Sequence, residues 1–195
     1  MKSKKSLAVT LIVLGALTFS GCSANSPLNS NSSETGTSEF TMAEVMFAQM
    51  MIPHHRQAVT MADLATSRTQ NSDILQLAAA IKAAQEPEIE IMKSWLASDA
   101  ETSDPHAGHD MGDGMSSGMS GMDGMLTDEQ LDQLAAAQDE EFDKLFLSGM
   151  IAHHEGAIKM AEEIQQSKNS AVKNLANEII SSQKLEIEAM RALQK

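Results

Sequence analysis

Apolar residues recur along the chain at the spacing of a helix face. In the first long stretch the steps along this face alternate between four and three residues, at Phe47, Met51, His54, Ala58, Met61 and Ala65, all of which are apolar except His54. Such stepping keeps side chains on one face of an α-helix, and it recurs over residues 74–95, 146–164 and 172–193. The pattern predicts an all-α fold, with helices over about 42–66, 72–97, 127–166 and 170–193 and a candidate interruption near 137–139.

Local signals mark where these helices begin and where they should bend. Thr41 with Glu44 and Thr127 with Gln130 have the spacing of capping boxes, which start helices. Pro53 lies inside the first predicted helix and Pro87 inside the second, whereas the later helices have other residues at the matching places. Because proline removes a helical hydrogen bond, we expect bends only in the first two helices.

The chain repeats itself. Phe47-x-x-x-Met51-Ile52-Pro53-His54-His55 recurs as Phe146-x-x-x-Met150-Ile151-Ala152-His153-His154. The following helices also match, as Gln85-x-x-Glu88-Ile89-x-x-Met92 and Gln183-x-x-Glu186-Ile187-x-x-Met190. Two copies of a helical hairpin, over 41–97 and 127–195, predict a four-helix bundle with a pseudo-two-fold axis.

Polar residues interrupt the predicted apolar faces at equivalent places in both copies. Histidine pairs lie within the first face, and a Gln and a Glu lie within the face of the partner helix. Imidazole and thioether groups that meet in one layer would suit copper, and the candidate ligands are His54, His55, Met51, Met61, Glu88, Met92, His153, His154, Met150, Met160, Glu186 and Met190. The alternative is a pair of buried Glu–His hydrogen bonds that need no metal, and the sequence leaves both open.

These paired motifs resemble the signature of the domain-of-unknown-function family 305. The resemblance covers about residues 42–97 and 127–193, and it includes Glu141-Phe142-Asp143 before Phe146-Leu147. It implies a ferritin-like helical fold, export from the cytosol and an association with copper binding or resistance.

A segment rich in methionine and glycine, residues 98–126, separates the two hairpins. Its methionines have no predicted packing role, and thioethers select Cu(I) over Zn²⁺, Mg²⁺ or Ca²⁺. We expect this insert to carry much of the capacity for Cu(I) and Ag(I), and imidazoles could also hold Cu(II). Its candidate ligands are His106, His109, Met111, Met115, Met119, Met122 and Met125.

The first residues predict export and lipid anchoring. Lys2, Lys4 and Lys5 precede a short apolar run over 7–17, and Phe19-Ser20-Gly21-Cys22 follows it, in the order of a lipoprotein signal peptide over 1–22. Residues 23–40 read as a flexible tether to a helical domain over 41–195. The alternative is an uncleaved membrane anchor, although the apolar run is short for one.

Composition limits the remaining choices. The net charge of −13 argues against nucleic acid as a partner. Cys22 is the single cysteine, so once it is acylated a soft metal must be held by thioether and imidazole groups.

The predicted function is therefore copper sequestration, storage or delivery in the cell envelope, without catalysis. Its partners would be copper ions, a membrane and a copper exporter or acceptor protein. The alternatives are a redox enzyme such as a cuprous oxidase, and a structural envelope protein whose His and Met only pack. A di-iron oxidase is disfavoured because the chain has no Glu-x-x-His motif.

The lipid anchor can be tested directly. Cys22→Ser should remove the acylation site, so the protein should appear in the soluble fraction or keep its signal peptide. Membrane fractionation and mass spectrometry of the wild type and the variant measure this. A wild-type protein that is soluble and unacylated would contradict the prediction.

Overall fold

Helices make up most of the part of the chain that this computed structural model describes, residues 39–102 and 122–194, with side chains described over 39–100 and 122–194. They are α1 (Met42–Arg68), α2 (Ser72–Thr102), α3 (Asp128–Ala136), α4 (Asp139–Ile164) and α5 (Ser170–Leu193). The described residues contain no strand, and the predicted all-α fold is confirmed.

The predicted helix starts are also confirmed. The Thr41 side chain accepts from the Glu44 backbone N–H, and the Glu44 carboxylate accepts from the Thr41 N–H at 2.7 Å. Thr127 and Gln130 cap α3 in the same way. The backbone is extended between α3 and α4, which confirms the interruption predicted near 137–139.

The long helices form two antiparallel hairpins that pack into a four-helix bundle. An ion pair between Asp63 and Lys82 links α1 to α2, and one between Glu155 and Arg191 links α4 to α5. The hairpins meet mainly through α1 and α4, and α2 also contacts α5. The short helix α3 lies beside α1 and α4.

The predicted apolar stripe is buried throughout the first copy but not throughout the second. Met61 and Ala65 are fully buried on α1. Their repeat equivalents, Met160 and Ile164, are half-buried on α4. The C-terminal part of α1 is therefore more deeply buried than that of α4, although the two have the same sequence pattern.

Two predicted boundaries are wrong by a few residues. Helix α2 continues to Thr102 rather than ending near 97, because residues 98–102 contain no Gly or Pro that would stop it. Phe40, the last residue of the predicted tether, is buried, and its ring centroid lies 5.7 Å from that of Trp95. The bundle therefore includes residues from both neighbouring segments.

Helices α1 and α2 are continuous through their prolines. Pro53 is half-buried within α1, and Pro87 is exposed within α2. Neither residue ends its helix, and the bends expected beside them remain a prediction.

The last residues of the insert, 122–126, dock onto the bundle, and we call them the strap. The Gln57 side chain donates to the Leu126 carbonyl at 2.9 Å and accepts from the Leu126 N–H at 2.8 Å. Gly124 has a φ of +83°, a conformation that favours glycine. Met122 and Met125 are half-buried here, so the expectation that the methionines of the insert have no packing role is wrong for the strap.

Several predicted features lie outside the described residues. These are the signal peptide, Cys22, most of the tether, and the insert residues His106, His109, Met111, Met115 and Met119. Within the described ranges, no helix is both long enough and apolar enough to span a membrane.

The contact between strap and bundle predicts opposite effects for two glycines of α4. A Cβ at position 156 would lie 1.9 Å from the Asp123 carbonyl oxygen. A Cβ at position 149 would meet only the flexible ends of Leu126 and Met61, at 3.2–3.3 Å. Gly156→Ala should therefore lower the free energy of unfolding by roughly 1–3 kcal/mol through overpacking.

The matched control is Gly149→Ala, which should be neutral or stabilising, because Ala gains about 1 kcal/mol over Gly inside a helix. Urea unfolding of both variants measures the difference. Equal stability of the two variants would contradict the described docking of the strap.

Candidate metal centre

Four histidines lie at the middle of the bundle, all with 0 % exposure: His54 and His55 on α1, and His153 and His154 on α4. Their positions follow from the apolar stripes, which turn these stretches of both helices inward. The buried neighbours one turn away are mainly small or apolar, such as Met51 and Ala58. Four imidazoles are thus taken out of water in the centre of a hydrophobic core.

His54 and His153 contact each other, with ring centroids 3.8 Å apart and planes tilted by 42°. They are equivalent residues of the two repeats, and equivalent residues can touch only where the pseudo-two-fold axis passes. The axis of the bundle therefore runs between these two rings.

The inner pair has few hydrogen bonds. His54 donates from Nε2 to the Asp123 carbonyl of the strap at 3.3 Å, and its Nδ1 has no partner among the described residues. Neither ring nitrogen of His153 has a hydrogen-bond partner in the described part of the chain. Such groups are rare in folded proteins, because an unpaired polar atom in a core costs about 1–3 kcal/mol.

The outer pair is held by carboxylates from the partner helices. His55 Nε2 lies 2.8 Å from Glu88 Oε2, and His154 Nε2 lies 2.7 Å from Glu186 Oε2. The Glu side chains are 13 % and 18 % exposed, so they are less deeply buried than the stripe pattern implied. Partial contact with water reduces the cost of placing a carboxylate there.

These hydrogen bonds set the tautomer of each outer imidazole ring. When neutral His55 or His154 donates from Nε2 to a carboxylate, its Nδ1 carries the lone pair. Both Nδ1 atoms are buried and have no partner among the described residues. A carboxylate that orients an imidazole in this way is the usual outer partner of a metal-bound histidine.

Two buried glutamines accompany the histidines. Gln85 and Gln183 precede Glu88 and Glu186 by three residues, and both are almost fully buried. Neither amide oxygen nor nitrogen has a partner within the described ranges. The unpaired polar groups therefore extend from the histidines onto α2 and α5.

The predicted thioether ligands divide into two groups. Five are fully buried, with 0 % exposure: Met51, Met61, Met92, Met150 and Met190. Met160 differs, since it is half-buried and lines a surface groove with residues of α1. The described His, Asp and Glu side chains include no group of three arranged to hold a metal ion, so a site here would need thioethers as well.

Burial holds the inner histidines neutral. It lowers the pKa of His54 from 6.5 to about 3, helped by the neighbouring His55 and opposed by the bond to the Asp123 carbonyl. Burial likewise holds the pKa of His153 well below its ordinary value, with further contributions from His54 and His154. Both rings thus keep a lone pair at neutral pH, as metal binding requires.

Sequence reasoning found the histidines and their Glu partners but not the strap. The group that accepts from His54 is the backbone carbonyl of Asp123. Every residue has such a carbonyl, so the residue type at position 123 does not predict this hydrogen bond. The sequence also did not indicate which histidine of each pair would reach the carboxylate.

The lowered pKa values predict that the metal-free protein loses stability in mild acid. Below pH 6.5 the unfolded chain protonates at His54 and His153 while the folded protein does not. The contribution of these two rings to the free energy of unfolding is therefore complete above pH 6.5. As the pH is lowered below 6.5, it decreases by up to about 1.4 kcal/mol per pH unit for each ring.

Urea unfolding of the protein in a chelating buffer between pH 7 and pH 5 measures this slope. His54→Gln should make it shallower, because one of the two rings is removed. If the pH dependence of stability is the same in His54→Gln as in the wild type, the lowered pKa of His54 is not its cause.

Comparisons with known proteins agree with this architecture. The family model for the domain of unknown function DUF305 matches residues 44–194. A DUF305 fragment from Deinococcus radiodurans is 28 % identical, with a TM-score of 0.67 over 78 % of this chain and 95 % of that one. A DUF305 protein from Streptomyces coelicolor is 29 % identical, with a TM-score of 0.65 over 77 % and 91 %.

CopM in its Cu(I)-bound form is 30 % identical, with a TM-score of 0.60 over 80 % of this chain and 96 % of that one. CopM is also known in Cu(II)-bound and Ag-bound forms. A search of curated protein sequences gave no match. The family match spans nearly all of the helical bundle, and the chain belongs to the DUF305 family.

Proposed function

We propose that this protein binds copper in the cell envelope, mainly as Cu(I), and sequesters, stores or delivers it. The observation that carries the proposal is the inner pair, His54 and His153, whose buried ring nitrogens are largely without hydrogen-bond partners among the described residues. Fully buried thioethers lie on the same helices, Met51 on α1 and Met150 on α4. Thioether sulfur selects Cu(I), and imidazole nitrogen also suits copper, so the two ligand types together favour this metal.

The structural alternative accounts for only half of the histidines. Hydrogen bonds to Glu88 and Glu186 give the outer pair, His55 and His154, a role without metal. The inner pair gains no comparable bonds, and a core of aliphatic residues would be more stable at these places. Keeping two imidazoles there favours a function that needs their lone pairs.

The site residues then have distinct roles. The histidines supply nitrogen ligands, and the buried methionines supply sulfur ligands that favour Cu(I) and Ag(I). In this proposal Glu88 and Glu186, which the sequence also offers as direct ligands, position His55 and His154 through hydrogen bonds to their Nε2 atoms. CopM, a relative with the same fold, is known with both copper states and with silver bound.

The insert would capture metal outside the bundle. Met111, Met115 and Met119, with His106 and His109, offer soft ligands on a glycine-rich segment. The strap then joins this segment to the histidine centre through the Asp123 carbonyl. Acylation of Cys22 would hold the domain at a membrane surface, where a copper exporter or acceptor could exchange metal with it.

The experiment compares Cu(I) binding by three proteins, measured by competition with a chromophoric Cu(I) chelator. The first is the mature protein. The second has the insert ligands replaced, by Met111→Leu, Met115→Leu, Met119→Leu, His106→Gln and His109→Gln. The third adds His54→Gln and His153→Gln. We expect a large loss of capacity in the second protein and loss of histidine-dependent binding in the third, while circular dichroism shows an intact helical fold.

A matched variant tests the positioning role. Glu88→Gln with Glu186→Gln keeps a hydrogen-bond acceptor beside each outer histidine but removes the charge. It should weaken Cu(I) affinity roughly 10–100-fold without abolishing binding. If the His54→Gln, His153→Gln substitutions leave Cu(I) binding unchanged, the inner pair is structural and the proposal fails.

A further inference from the structure

Three methionines line one open groove on the outside of the bundle. Met46 and Met50 are one turn apart on α1, and Met160 faces them from α4. The groove has a volume of about 280 Å³. Met46 is 51 % exposed and Met50 is 38 % exposed, so their side chains are in contact with solvent.

The equivalent place in the other repeat is partly covered by the strap. The residues that correspond to Met46, Met50 and Met160, 99 positions away, are Leu145, Gly149 and Met61. There the Leu126 side chain of the strap packs over Gly149, and Met61 is fully buried. The pocket of about 360 Å³ that remains there is lined by Leu145 and Gly149, where the first groove has Met46 and Met50.

Folding alone does not explain the choice of methionine. Leu packs into a groove of this size about as well as Met, and Leu145 stands at the place of Met46 in the other repeat. Half-exposed apolar side chains also gain little from burial. What methionine adds is a polarisable sulfur on three rotatable bonds, which lets neighbouring thioethers turn toward one ion.

We propose that Met46, Met50 and Met160 form a surface site for a single soft monovalent cation, Cu(I) or Ag(I). Neutral thioethers bind such ions and discriminate against Zn²⁺, Mg²⁺ and Ca²⁺. The Glu163 carboxylate at the groove edge favours a cation there. The choice of metal rests on the proposed function, but the site is separate from the buried histidines and from the insert.

The position of the groove gives it a role that the histidine centre cannot have. The four histidines are fully buried, whereas the groove is open to water. An ion in the groove can therefore exchange directly with a donor or acceptor molecule. On α1, Met50 in the groove is followed by the fully buried Met51, so thioethers continue from the surface toward the core.

The test uses the mature protein with isotope-labelled methionine methyl groups and Ag(I), which does not change oxidation state during the titration. Each methyl signal is assigned by a single Met→Leu variant. The signals of Met46, Met50 and Met160 should shift together and saturate at a common Ag(I) ratio. The Met42 signal should not follow them, because Met42 is 74 % exposed on the same helix but does not line the groove.

Stoichiometry provides the second measurement. The triple variant Met46→Leu, Met50→Leu, Met160→Leu should bind about one equivalent of Ag(I) less than the wild type, since three thioethers share one ion. Met42→Leu is the matched control and should bind as much as the wild type. Unchanged methyl signals of the buried methionines in the metal-free protein verify that the fold is kept.

The outcomes separate this site from the histidine centre. In His54→Gln, His153→Gln the groove signals should still shift with Ag(I), whether or not the centre binds metal. The proposal is overturned if the groove signals shift no more than that of Met42, or if the triple variant binds as much Ag(I) as the wild type. An apolar partner would then be the better explanation of the exposed groove.

Discussion

The contact between His54 and His153 is the constraint around which the bundle is arranged. Equivalent residues of two repeats can meet only on the axis that relates them, so this contact fixes how α1 crosses α4. The ring centroids lie 3.8 Å apart in a fully buried site, and two imidazoles can be this close there only while both are neutral. Burial enforces that state by lowering the pKa of each ring.

The surrounding structure offsets part of the cost of these imidazoles. The outer histidines receive carboxylates whose partial exposure keeps their own desolvation moderate. The strap supplies one backbone carbonyl to His54, and Gln57 holds the strap in place through two hydrogen bonds. The remaining imidazole nitrogens have no hydrogen-bond partner among the described residues, which is unusual in a protein core. Such exceptions concentrate at functional sites.

The two repeats are alike inside and different outside. Their histidines, Glu partners and the buried methionines Met51, Met92, Met150 and Met190 occupy matching places, because interior packing on a two-fold axis tolerates little change. On the surface, Leu126 lies over Gly149 in one repeat, and Met46, Met50 and Met160 line the groove of the other. Thioether side chains therefore occur at two depths of the described bundle, in the buried centre and in an exposed groove, and the insert sequence contains more of them.

Periodicity and local motifs were enough to predict the helices, both capping boxes, the interruption between α3 and α4, and the inward direction of the histidines. These features depend on residues three or four positions apart, so the chain carries their signals locally. Other features depend on how helices rotate against each other and on contacts between distant segments. Only the tertiary structure therefore decided that His55 rather than His54 reaches Glu88, that Asp123 binds His54 from 69 residues away, and that Met160 faces outward while Met61 is buried.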